Sequence, residues 1–156
     1  MNEPKTFMVE DARLIFRNFS GNEGMYNPAG SRNFGVILEQ KLAEKMFKDG
    51  WNVKFPEDRE EGEDRDPYIS IQLGFKVRPP KIVMITSAAR TNLTEDSVSV
   101  LDWADIRTAD LICNGSHWEV NGKTGIKAYL KSLFVTIEED ALDLKYAVDL
   151  LRDGVS

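Results

Sequence analysis

Two copies of the tripeptide Arg-Asn-Phe, at Arg17-Asn18-Phe19 and Arg32-Asn33-Phe34, frame a loop that carries Gly21, Gly24, Gly30, Pro28, Asn22, Asn27 and Tyr26. A guanidinium pairs with phosphate and an aromatic ring stacks on a base, so this spacing suits a loop that holds unpaired bases. The plain alternative is that Phe19 and Phe34 pack at strand ends and the arginines are surface charges. Aromatic and basic residues interleave elsewhere as well: Trp51 with Lys54, Tyr68 with Lys76, and Lys127, Tyr129 and Lys131 at alternating positions. Alternation places those last three on one face of a strand. The candidate contacts to a single-stranded nucleic acid are Arg17, Arg32, Lys54, Lys76, Lys123, Lys127 and Lys131 for phosphates. For bases they are Phe19, Tyr26, Phe34, Tyr68 and Tyr129. Trp51, Phe55, Phe75 and Trp103 are expected in the core.

Motifs that would carry catalysis are incomplete. Gly122-Lys123-Thr124 has the end of a phosphate-binding loop, but His117 stands where its first glycine belongs. It reads as a hairpin tip with a basic residue. Cys113, His117 and Glu119 make a partial zinc set that no second cysteine or histidine completes. Glu39-Gln40-Lys41 fits half of a metal-dependent nuclease motif. Such chemistry needs convergent carboxylates, and Asp11, the obvious preceding one, lies before the first strand. A nuclease using Glu39 and Lys41 is the alternative from another class, and a protein-interaction module is a third. No metal or cofactor is expected.

The chain of 156 residues, 42% hydrophobic and 29% charged, reads as one soluble domain with a core of its own. No apolar run is long enough to span a bilayer, and the acidic N-terminal stretch is no targeting peptide. A single cysteine, Cys113, suits a reducing cytoplasm. The net charge of −6 argues at first against a nucleic-acid partner. Its distribution argues otherwise. Residues 57–66 hold seven acids against two arginines, whereas residues 67–94 hold no acid and four bases. Residues 111–137 hold one acid and three lysines, and residues 138–156 six acids and two bases. The acids therefore collect in loops and tail, and local field decides what a groove attracts.

The elements that must position these residues are mostly strands. Arg13–Phe19 and Asn33–Ile37 are strand-like, and Leu38–Lys48 switches to helical spacing before a stop at Asp49-Gly50. Trp51–Phe55 is a short strand, and residues 56–67 a charged loop. Tyr68 to Val77 alternates cleanly, with Ile69, Ile71, Leu73, Phe75 and Val77 toward the core. Lys81–Thr86 is the next strand, Ser87–Asn92 a polar loop, and Thr94 caps a short helix through Asp102. Ala109–Asn114 and His117–Val120 are strands around a break at Gly115-Ser116, and Asn121-Gly122 is a hairpin turn. Ile126–Ile137 is a long strand whose faces exchange beyond Ser132. Residues 138–151 lean to helix. Six or seven strands with few helices predict a mainly β, OB-like Greek-key barrel, with an added helix near 38–48. Its core spans 10–147, and 138–156 is an acidic C-terminal segment.

The stretches Arg-Asn-Phe-Gly-Val-Ile-Leu at 32–38, Trp51-Asn52-Val53-Lys54, Pro80-Lys81-Ile82-Val83 and Gly125–Lys131 resemble, in kind and order, single-stranded DNA-binding proteins of bacteriophage replication and recombination modules. The resemblance covers about residues 10–147. It implies an OB-fold that coats single-stranded DNA without catalysis in the host cytoplasm, as a homodimer, with phage replication or recombination proteins as partners. An acidic C-terminal tail often recruits such partners in that family; here Asp149 and Asp153 are separated by Leu150, Leu151 and Arg152.

Overall fold

The computed structural model describes residues 5–25, 27–56, 66–76 and 78–138. Nine strands form one sheet: β1 Thr6–Val9, β2 Leu14–Asn18, β3 Arg32–Ile37, β4 Val53–Lys54, β5 Tyr68–Leu73, β6 Lys81–Ile85, β7 Arg90–Leu93, β8 Ile106–Val120 and β9 Lys123–Ile137. Helix α1 spans Gln40–Lys48, and a short 3-10 helix spans Val98–Asp102. The main path across the sheet is β1-β8-β9-β5-β3-β2.

β9 organises this architecture. One of its edges pairs antiparallel with β8 from Lys123 to Ile137. The other is met in turn by Trp51 at Ile126, by β5 at Ala128 and Tyr129, and by β6 from Ser132 to Thr136, the latter two strands running parallel to it. The exchange of faces expected near Ser132 has a local cause. Cys113 pairs with Leu130 and Ile112 with Ser132, so Lys131 is an unpaired bulge residue. One extra residue inverts the side-chain phase. Ile126, Ala128 and Leu130 are buried before the bulge, and Leu133 and Val135 after it.

The β8–β9 turn follows the Asn-Gly signal, with φ of 52° at Asn121 and 79° at Gly122, as a two-residue hairpin turn with both central residues left-handed requires. Several expectations shift. Ser87–Asn92 is not all loop: Arg90–Leu93 pairs with β6 as β7. The helix expected from Thr94 is a turn followed by the 3-10 helix; Ser97 is its N-cap residue, and the Ser97 hydroxyl makes no capping bond but accepts from the Thr94 amide at 2.8 Å. Gly115-Ser116 does not interrupt β8, because Gly115 and Ser116 pair with Ala128 and Lys127. Thr6–Val9, unassigned from sequence, is the edge strand β1 on β8. Strand β4 is only Val53–Lys54. α1 begins at Gln40, since the Leu38 amide is taken by the Pro67 carbonyl at 2.9 Å. Val77 and residues 139–156 of the C-terminal segment lie outside the described residues.

The core comprises Phe34, Val36, Ile69, Ile71, Ile82, Leu101, Leu111, Leu133 and Val135 with their neighbours, and among the described residues no buried polar side chain lacks a hydrogen-bond partner. Cys113 is fully buried, and that burial pushes its thiol pKa up. Trp103 and Phe55, expected inside, are 70% and 40% exposed. Phe75 packs partly against the core.

Candidate nucleic-acid interface

Strand register decides which predicted contacts share a surface. Across six strands the paired residues run Asn18–Asn33–Gln72–Tyr129–Asn114–Thr6, a continuous polar row on the side of the sheet away from Phe34, Ile71 and Ala128. None of the six is buried. At the β2–β3 end the amides hold the glycine-rich loop: Asn18 Nδ2 donates to the Asn22 carbonyl at 3.0 Å, and Asn33 Nδ2 donates to Asn27 Oδ1 at 2.7 Å. Toward the middle, Gln72, Tyr129 and Asn114 have no such duty. Their side chains make no hydrogen bond to other described residues.

The flanking rows complete this face. Lys127 pairs with Ser116, Trp118 with Gly125, and Gly35 with Ser70. Two glycines let aromatic rings lie close to the sheet. A Cβ on Gly125 would come within 2.7 Å of the Trp118 ring, and one on Gly35 within 3.4 Å of Tyr68 and 2.9 Å of Ile15. The Trp118 indole N–H donates to Asn52 Oδ1 at 3.2 Å, which fixes the ring over Gly125. The positions that define the face, at Thr6, Met8, Asn33, Gly35, Ile37, Tyr68, Ser70, Gln72, Lys123, Gly125, Lys127, Tyr129 and, on β8 from Ile112 to the turn, Ile112, Asn114, Ser116, Trp118 and Val120, include no acid; the exposed Asp110, the next position on this side of β8, bounds them. A protein of net charge −6 thus presents a locally basic sheet surface.

Where β5 leaves β9, Gly74, Phe75, Lys76 and Arg78 border an open groove of about 590 Å³. It is lined by Lys76, Arg78, Tyr129, Asn114, Ser116, Phe75 and Gly30 among others, with Glu95 as its acid. Tyr129 is 38% exposed, with Lys127 and Lys131 exposed on either side of it along β9.

The other predicted contacts separate into two groups. Lys54, Lys76 and Lys123 are exposed, and Tyr68 is half-buried with its ring edge-on to Phe16. Phe19 and Phe34 are core residues, 0% and 1% exposed, stacked on each other at 4.9 Å, so neither offers a face to a base. Their burial also turns their arginines inward. Arg17 Nη1 donates to the carbonyls of Leu101 at 3.0 Å and Ala104 at 2.6 Å, tying β2 to the end of the 3-10 helix. Arg32 Nη1 donates to the Phe19 carbonyl at 2.6 Å, and its guanidinium lies 5.5 Å from the Phe75 ring centre. The plain packing alternative describes both phenylalanines, but the arginines are held inward by carbonyls rather than left as surface charges. Tyr26 lies outside the described residues. Sequence reasoning missed Gln72, Asn114 and Trp118, whose place on the face depends on register, and Arg78, whose only signal was its acid-free neighbourhood.

Glu39 and Lys41 are both exposed at the start of α1. Among the described residues no three His, Cys, Asp or Glu side chains come together as a metal site, and no helix is long and apolar enough to cross a membrane.

A sheet face with lysines around exposed aromatic rings has the chemistry of a surface for single strands, which combines phosphate-tracking charge with stacking platforms. The chain belongs to the family described as "Putative phage ssDNA-binding domain", whose model matches residues 2–151. That family is described as one of binding domains. No curated protein sequence matches it significantly. Among solved structures it is similar to the C-terminally truncated single-stranded DNA-binding protein from bacteriophage Enc34, with 11% identity and a TM-score of 0.57 over 86% of this chain and 87% of that one. The same phage protein in complex with ssDNA matches at 10% identity and a TM-score of 0.55, over 86% and 88% of the two chains. At this identity the likeness concerns the fold, which is the OB-like one expected from the strand pattern.

Proposed function

We propose that this protein binds single-stranded DNA without strong sequence preference, across the outer face of β5, β9 and β8. The observation that carries the reading is the row Gln72–Tyr129–Asn114 with Lys127 and Lys131 on either side of the tyrosine, on the part of the face between Ile112 and the β8–β9 turn, whose positions hold no acid. Tyr129 stacks a base. Lys127, Lys131, Lys123 and, across the groove, Lys76 and Arg78 neutralise phosphates. Gln72 and Asn114 offer amides that can donate or accept, so they suit any base edge. Membership of a phage ssDNA-binding family supports the same partner. The biological setting that follows is protection of single strands during phage DNA replication or recombination in the host cytoplasm. Self-association as a dimer and recruitment of replication proteins extend the proposal beyond the strand-binding face.

A labelled oligo-dT titrated by fluorescence anisotropy at rising salt tests this. Binding should weaken linearly in log–log form, with a slope near −0.7 for each phosphate neutralised. A slope near zero would remove the lysine contacts from the account.

A further inference from the structure

At the β2 edge of the same face, Phe16 breaks two ordinary rules at once. Its backbone is left-handed, with φ of 50°, and its side chain is 70% exposed. Left-handed φ is unusual for a bulky residue, and persists where surrounding structure enforces it. The enforcing feature is a bulge. Ile15 pairs with Gly35 and Asn18 with Asn33, so Phe16 and Arg17 together oppose only Phe34. The flanking residues are fixed: Ile15 packs over Gly35, and Arg17 is held by two carbonyls. In one common form of this bulge a glycine takes the left-handed position. Here a phenylalanine takes it, and its ring stands out of the sheet against the edge of Tyr68, with centres 5.4 Å apart and planes at 66°.

The surroundings suit a ligand of the same chemistry as the central site. Tyr68 lies close over Gly35, and Lys54, exposed, is its register partner on β4. Tyr68 and Gln72 are four residues apart on β5, roughly 13 Å along the strand, and Gln72 is the register partner of Tyr129. Phe16 is thus separated from Tyr129 by more than one base can bridge.

We infer that Phe16, with Tyr68 and Lys54, forms a second base-stacking subsite at the β2 edge, and that one DNA strand runs across the sheet between it and Tyr129. This rests on the proposed strand-binding face and adds to it a path and a minimum length. Linking two contacts on one strand raises affinity only when the strand is long enough to reach both. Position 16 would then be held in a backbone conformation that glycine adopts freely, because the aromatic ring is needed there.

The test compares wild type, Phe16→Gly and Phe16→Trp for melting temperature and for affinity to oligo-dT of about 4 and about 16 nucleotides, the two ends of the range of site sizes of such folds. Phe16→Gly should melt no lower than wild type. It should bind the long oligomer roughly tenfold more weakly, the loss of one stacked base, and the short one within about twofold. The long-oligomer ratio to wild type should be the same at low and high salt, since no phosphate contact is removed. Phe16→Trp should retain wild-type affinity. Wild-type binding to the long oligomer that Phe16→Gly leaves unchanged would overturn the subsite while leaving the main face intact. A lower melting temperature with equal losses on both oligomers would make the bulge a packing feature and overturn it too. Absence of binding by wild type would instead reject the proposed function itself.

Discussion

Tyr129 and Phe19 show what burial does to one residue type. Both are aromatic residues beside cations in the sequence, but one has an exposed ring between two lysines and the other is fully buried against Phe34. Neighbouring charge cannot tell these apart; strand parity can. Lys127, Tyr129 and Lys131 were legible as one face because they alternate within a single long strand. Arg17 was not, because its hydrogen-bond partners at Leu101 and Ala104 lie more than eighty residues away. At this scale Lys127→Ala should weaken oligo-dT binding evenly across base compositions and reduce the magnitude of the salt slope by about 0.7. Cys113 offers an independent check on the core. Its thiol pKa is pushed up by burial, so the reactive thiolate is scarcer in the folded state than in the unfolded one. Above the ordinary thiol pKa the unfolded chain ionises first, so this group makes stability fall as pH rises there. A thiol reagent at mildly alkaline pH should label Cys113 only after denaturant unfolds the protein.

At the scale of elements, the local signals that held were those set by short-range geometry: the Asn121-Gly122 turn, the alternation of β5, and the glycine stop after α1. Those that failed depended on distant partners. β1 and β7 are short strands whose only reason to be extended is an edge to pair with, at β8 and β6. The β2–3-10 helix junction is held by Asp102, whose carboxylate accepts the amides of Phe19 at 2.5 Å and Ser20 at 3.2 Å and the Ser20 hydroxyl at 2.5 Å. Asp102→Ala would leave these partly buried donors unmatched and should destabilise the protein by about 1–3 kcal/mol in a urea melt, with Asp102→Asn recovering part of it. The Trp118 seat makes a second demand. Gly125→Ala brings a methyl against the indole and Asn52, which should cost about 1–3 kcal/mol and red-shift tryptophan emission as the ring is lifted toward water.

For the whole molecule, net charge is the misleading quantity and its arrangement the informative one. The sequence places half of its acids in residues 57–66 and 138–156 and has an acid-free stretch at 67–94. The fold then sets β5, β8 and β9 side by side so that their outward positions between Ile112 and the β8–β9 turn form one continuous surface without an acid, bounded by Asp110. The mainly β, OB-like class was legible from strand pattern and turn chemistry, although nine strands form among the described residues where six or seven were expected. The order of strands was not, because parallel pairing of β5 and β6 along one edge of β9 leaves no short-range trace. The central claim is that the outer face of β5–β9–β8 stacks and tracks an unpaired strand. Its most direct measurement is a fluorescence titration of wild type and Tyr129→Ala with oligo-dT, with duplex of equal length as competitor at matched salt. The account predicts quenching by the single strand, a preference for it over duplex, and affinity reduced roughly tenfold in the variant, a loss of about 1–3 kcal/mol of stacking. Equal affinity for single strand and duplex, or a variant indistinguishable from wild type, would contradict it.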